Sequence, residues 1–201
     1  RRFATLGFTK PRAGLLTAGR GALIGVGMLA VCVLVPVVLG HAELRWAEPT
    51  AATGGMIIIM LLGFLVQGST EEILTRGYLT QAVARRWGLV AAVIIQAVFF
   101  ALLHGANPGM GVLPIINLIA FAIFGTFLSL AEGGLWGICA MHGAWNWAQG
   151  TLFGVAVSGN TLSDTAFTFR AHEHSAELLT GGAFGIEGSI VTTVVFVGAS
   201  A

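Results

Sequence analysis

Long apolar runs separated by short polar interruptions set the pattern of this chain. A membrane-spanning helix takes roughly 20 mainly apolar residues, and residues 21–40 form the first such run. Residues 41–50 are polar, contain Pro49 and read as a short loop. A second run starts near Gly54 and passes through Ile57, Ile58, Ile59, Leu61 and Leu62 to Val66. Its helical signal continues through Glu71, Glu72, Arg76 and Tyr78 to Arg85 and Arg86, which predicts one long helix ending in a basic turn. Residues 89–104, 112–131 and 135–157 read as the third, fourth and fifth spans. Residues 160–187 are polar and rich in Gly, Thr and Ser, and residues 190–197 begin a sixth apolar segment. The predicted fold class is all-α, a polytopic transmembrane helix bundle.

Composition agrees. Of 201 residues, 56% are apolar and 9% charged, against about 25% charged in a soluble domain. Disordered chains, coiled coils and ordinary soluble globules are excluded. A net charge of +1 offers no broad basic face, so no nucleic-acid partner is expected; the lipid bilayer is. Cys32 and Cys139 lie inside apolar runs and read as buried free thiols. Gly21 and Gly25 form a GxxxG pair, which reads as a helix-packing contact.

Charge placement gives the topology. Arg1, Arg2, Lys10, Arg12 and Arg20 precede the first span with no acid among them. An Arg1-Arg2 export signal is the other reading of this start, but the apolar run is long for one and no clear cleavage site follows. The basic start and the Arg85-Arg86 turn fall on one side of the membrane. Glu43, Glu48, Asp164, Glu173 and Glu177 fall on the other, which puts the N-terminus in the cytoplasm. Residues 1–201 are read as a single membrane-embedded domain. A start on Arg1 and an end within an apolar run at Ala201 suit a piece of a longer protein.

Four polar clusters stand out, because ionisable residues within a membrane are costly and are functional candidates. Glu72 and Arg76 lie four apart on one helical face and can pair. Glu71 is turned about 100° from Glu72, which leaves one carboxylate uncompensated and available as a general base. A helix end where Glu71 simply meets water is the alternative. His142 and Asn146 share a face and can offer an imidazole and an amide to one oxyanion, or form an ordinary polar contact between helices. His104 stands alone. The triplet His172, Glu173 and His174 sits in a polar loop with no third ligand and reads as solvated. Depth links the others. With a turn at Trp87 and Gly88, Glu71 lies 16 residues before it and His104 16 after, both about 24 Å in. From the Gly133-Gly134 turn, His142 and Asn146 lie about 12 and 18 Å in.

Glu71-Glu72-Ile73-Leu74-Thr75-Arg76 resembles the EExxxR motif of the CPBP family, the CAAX-protease and bacteriocin-processing (Abi) intramembrane proteases. Phe100-Ala101-Leu102-Leu103-His104 resembles its FxxxH motif, and His142-Gly143-Ala144-Trp145-Asn146 its HxxxN motif, in the family order. The resemblance covers about residues 54–157. The segments around Gly181-Gly182 and Glu187-Gly188 resemble a tail seen in bacterial members. The resemblance implies a transmembrane helix bundle enclosing a polar intramembrane cavity, in a multi-pass protein of a bacterial cell membrane that cuts a membrane-bound peptide or protein substrate. Glu71 would activate water with help from His104. His142 and Asn146 would stabilise the oxyanion, while Glu72 and Arg76 support the geometry. Glu71, His104 and His142 could alternatively ligate Zn²⁺, but no HExxH pair is present and a metal-free water is favoured. A proton-coupled transporter using the same ionisable groups, and a non-catalytic scaffold or immunity protein, remain the other readings.

Overall fold

In a computed structural model, which describes residues 3–8 and 11–200, the chain is a helical bundle with one small β-ribbon. Of the basic flank, Arg1, Arg2 and Lys10 lie outside the described residues, as does Ala201; Arg12 and Arg20 are exposed at the start of the first helix. That helix, α1, spans Pro11–Val38 and so begins ten residues earlier than the apolar run suggests. Helix α2 (Ala51–Glu72) is capped by the Thr50 side chain, which accepts from the Thr53 N–H at 3.2 Å. It runs on through a π-helix at Ile73–Thr80 into α3 (Gln81–Leu103). A straight helix of these 53 residues would be about 80 Å long, far beyond a hydrocarbon core of about 30 Å. Gly88 divides it into two legs with φ 82° and ψ 170°, a conformation open to glycine. Arg85, Arg86 and Trp87 are exposed at this break, where basic and aromatic side chains suit a membrane interface.

Helix α4 spans Val112–Glu132 and ends at Gly133 in the left-handed region. Among the described residues, the helices Arg12–Val38, Ala51–Leu103 and Val112–Glu132 are long and apolar enough to cross a membrane. Their outer faces keep large apolar side chains uncovered, Leu16, Leu23 and Val90 each about three-quarters exposed. That distribution suits lipid, and the chain is an integral membrane protein.

The structure corrects three segments of the sequence reading. Residues 41–50 are not all loop. Strand β1 (Ala42–Trp46) pairs antiparallel with β2 (Phe167–Ala171), from Ala42 opposite Ala171 to Trp46 opposite Phe167. The fifth helix, α5, covers Trp136–Trp147, widens into a π-helix at Ala148–Leu152 and stops there rather than at residue 157. Residues 160–187 are not featureless, since they hold β2 and the short helix α6 (Glu177–Thr180). The sixth apolar segment folds as the helix α7 (Ile190–Ser200).

Helix α5 is the centre of the bundle, with every residue from 137 to 146 buried. Such a helix can be enclosed only if its neighbours approach closely, and glycines permit this. A Cβ at Gly21 or Gly25 of α1 would run into the backbone carbonyls of Gly137 and Met141. The GxxxG pair is therefore a packing contact. On the opposite side Gly68 of α2 meets Gly143 of α5, where a Cβ on Gly68 would lie 2.9 Å from the Gly143 nitrogen. Around these contacts Leu29, Cys32 and Val33 of α1 pack with Phe100, Phe121, Ile138, Met141, Trp145 and Phe196. Cys32 and Cys139 are buried free thiols.

Close packing gives a direct test. Gly21→Val overpacks the α1–α5 contact and is expected to cost about 1–3 kcal/mol. Gly27→Val, which faces open space, should leave stability unchanged. Thermal melts of both variants in detergent measure the difference.

Candidate active site

The last turn of α2 faces α5 with Glu72 fully buried. Its carboxylate takes two partners. Arg76 Nη1 lies 3.1 Å from Oε1, and the His142 imidazole bonds Oε1 through Nδ1 at 2.9 Å. Arg76 is held in turn. Its Nη1 donates to Thr75 Oγ1 at 2.9 Å and its Nη2 to the Ala122 carbonyl at 2.9 Å. The guanidinium carbon lies 5.0 Å from the Phe100 ring centre and 5.6 Å from that of Phe121, within cation–π range. The pair is not fully satisfied, since Arg76 Nε has no hydrogen-bond partner among the described residues and Glu72 Oε2 meets Arg76 Nη1 only as an ion-pair contact at 3.1 Å.

Glu71 faces the other way, into a cavity of about 420 Å³. The helical offset between adjacent residues thus sends one carboxylate to the packing interface and its neighbour to open space. Gln67, one turn earlier, donates from Nε2 to Glu71 Oε1 at 2.5 Å. Glu71 Oε2 is buried, takes no hydrogen bond from the described residues, and sits 3.8 Å from His104 Nε2 and 3.9 Å from His142 Nε2. His104 stands at the C-terminal end of α3, with Nδ1 2.9 Å from the Phe100 carbonyl. Asn146 donates from Nδ2 to Gln67 Oε1 at 2.9 Å.

These partners settle the tautomers. A carbonyl oxygen and a carboxylate only accept, so His104 and His142 each carry a proton on Nδ1. Each ring then turns its Nε2 towards Glu71 Oε2, so that the three atoms converge on one small space at the cavity wall.

Glu71, Glu72, Arg76, His104, His142 and Asn146, which the sequence singles out, come together at this one place. The His172, Glu173 and His174 triplet does not join them. It is exposed at the end of the β-ribbon, with His172 Nδ1 3.0 Å from the Gly40 carbonyl. As for Zn²⁺, no group of three or more His, Cys, Asp or Glu side chains among the described residues is arranged to hold a metal ion.

Residues 53–148 match the family model described as Type II CAAX prenyl endopeptidase Rce1-like. The match indicates an intramembrane protease of the CAAX type, and the matched region runs from the start of α2 to the end of α5, which carries every residue named in the three motifs. Comparison with curated proteins and with solved structures gives no match.

Several residues lining or supporting the site of this Rce1-like protease escaped the sequence reading. Gln67 had a signal, since it lies four residues before Glu71 in an otherwise apolar run. Gln96 is fully buried and donates at 3.2 Å to the same Ala122 carbonyl as Arg76. Asn117, Ser158 and Glu187 line the far wall of the cavity. There Glu187 Oε2 accepts from the Ser158 backbone at 2.7 Å and from its hydroxyl at 2.9 Å. Ser158 and Glu187 come from irregular segments 29 residues apart, and no periodicity marks them.

Arg76→Met removes the cation and leaves Glu72 buried beside His142 alone, which is expected to cost about 3–5 kcal/mol. The double variant Glu72→Gln with Arg76→Met removes both charges and should be more stable than Arg76→Met alone. Melting temperatures in detergent decide the order.

Proposed function

We propose that the chain, acting as a single membrane-embedded domain, hydrolyses a peptide bond in a membrane-associated protein or peptide through a water activated by Glu71. The observation that carries this reading is the convergence of Glu71 Oε2 with the Nε2 atoms of His104 and His142 at the cavity wall. Glu71 takes a proton from the water as its oxygen bonds to the scissile carbonyl carbon. His104 Nε2 accepts the hydrogen bond of the second water proton and so orients the nucleophile. Charge developing on the carbonyl oxygen meets the Asn146 N–H and, in the imidazolium form of His142, its Nε2–H. The proton held by Glu71 then passes to the amide nitrogen as the C–N bond breaks, releasing a new carboxyl group and an amine.

Glu72 and Arg76 act through position. Glu72 holds the His142 ring by Nδ1, and Arg76 neutralises the carboxylate that does so. The cavity that receives the substrate is lined by Phe64, Leu103, Trp145, Leu162 and Phe196. An apolar wall of this kind suits a hydrophobic peptide or a lipid-modified C-terminus, which the family description also suggests. With the N-terminus and the Arg85–Arg86 turn taken as cytoplasmic, the substrate would reach the site from within a cell membrane, a bacterial one on the motif resemblance.

Glu71→Gln, His104→Ala and His142→Ala are each expected to lower kcat at least about 100-fold while the protein still inserts and stays folded. The test compares peptide ends in membranes of cells expressing wild type and Glu71→Gln. Ends that appear only with wild type identify the substrate, and identical sets would defeat the mechanism.

A further inference from the structure

We infer that Gln67 is a positioning residue that ties the ionised state of Glu71 to the orientation of the Asn146 amide. The inference rests on the reading of Glu71 as the water-activating base. Gln67 sits between the two, its Nε2 2.5 Å from Glu71 Oε1 and its Oε1 2.9 Å from Asn146 Nδ2. Primary amides have a donor end and an acceptor end that crystallographic shape alone does not distinguish, so the chemistry of the neighbours decides their direction.

An ionised carboxylate only accepts. Facing Glu71, Gln67 must therefore present its NH₂ group, which turns its carbonyl towards Asn146. Asn146 must then answer with its own NH₂. One of those two N–H bonds is spent on Gln67, and the other has no acceptor among the described residues. Asn146 lines the same cavity as Glu71, so this second N–H is available to a developing oxyanion. Reversing either amide would set oxygen against oxygen. The direction of the whole chain is thus dictated from one end, by the negative charge on Glu71.

This arrangement addresses a weakness of an asparagine oxyanion donor. Left free, the Asn146 side chain could turn its carbonyl to the cavity and repel the charge it is meant to stabilise. Gln67 removes that choice at the stage when Glu71 is ionised and ready to accept a proton. Neither its polarity nor its bulk alone does this; a donor on one side and an acceptor on the other are both needed.

The test uses full-length protein in detergent with an internally quenched, farnesylated CAAX peptide. Gln67→Leu removes the amide but keeps an apolar branched side chain, and Gln67→Glu keeps its shape without the donor. Both are expected to lower kcat about 10- to 100-fold with KM within about twofold. In an Asn146→Ala background the further loss from Gln67→Leu should shrink to about twofold or less, because the residue Gln67 orients is gone. A structural role would lower the folded fraction and act equally in both backgrounds. Wild-type kcat in Gln67→Leu and Gln67→Glu, or an undiminished loss in the Asn146→Ala background, overturns the inference while Glu71→Gln stays inactive. A wild type that leaves the peptide uncut, or an active Glu71→Gln, overturns instead the reading on which the inference rests.

Discussion

Glu72 is the residue on which the site depends. A carboxylate with no solvent exposure sits between two helices that are 70 residues apart in sequence at the point of contact, and it binds a cation on one and an imidazole on the other. Removing charges from water is expensive, so the pair with Arg76 gives little net stability by itself. Its effect is specificity. The helices must meet in the one register that brings His142 Nδ1 to the carboxylate, because the Glu72–Arg76 pair moves as a unit and any slip leaves its buried oxygen without the imidazole. That register also aims His142 Nε2 at Glu71. The orientation of the imidazole thus follows from a contact on its far side, much as outer partners orient the ligands of a metal site.

The register is reachable because the backbones are allowed to touch. Gly68 lies one turn before Glu72, and Gly143 follows His142 directly, and these two glycines face each other. With side chains there, α2 and α5 would stand further apart and a hydrogen bond of 2.9 Å between Glu72 and His142 would be lost. Gly21 and Gly25 bring α1 against the opposite side of α5. The central helix is therefore clamped from both sides. A clamp matters for catalysis in a membrane, where a misplacement of about 1 Å can cost a factor of about 100 in rate.

How much of this was legible in the sequence depended on the range of each signal. Helical spacing is local, so the Glu72–Arg76 pair, the separate direction of Glu71 and the common face of His142 and Asn146 could be read from offsets of one and four residues. Depth counting reached further, because a turn at Gly88 fixes the levels of both legs, and the structure sets Glu71 and His104 3.8 Å apart. What failed was non-local. Strand β1 has its partner some 120 residues away, and neither strand is long enough to reveal itself by alternation. The far wall of the cavity, built from Asn117 of α4 with Ser158 and Glu187, rests on bonds between segments far apart in sequence that no period links. Gln67 was overlooked for a different reason, since a neutral amide in an apolar run carries no charge to draw attention.

Helix-face counting also had a limit set by geometry. It holds as far as Arg76 and then the α-helical period ends. Over Ile73–Thr80 the helix widens, and the Thr80 hydroxyl bonds back five residues, to the Thr75 carbonyl at 2.9 Å. Thr75, Arg76 and Gly77 are consecutive and all buried, an arc too broad for one face of a regular helix. A second widening, Ala148–Leu152, begins two residues after Asn146, where the Phe153 N–H reaches back five residues to Ala148. Wide turns of this kind are rare and recur at functional sites. Here each one follows the residues that line the cavity, on the two helices that must supply inward-facing groups from successive positions. Such a turn places more side chains on the inner surface than a regular helix can. Arg76 thereby reaches Glu72, Thr75 and the Ala122 carbonyl together while Glu71 still faces the cavity. The two helices sacrifice regular hydrogen bonding where the density of polar groups is greatest, and the polar groups themselves, through Thr75 to the Glu71 carbonyl at 2.6 Å and Thr151 to the Trp147 carbonyl at 2.6 Å, replace part of what is lost.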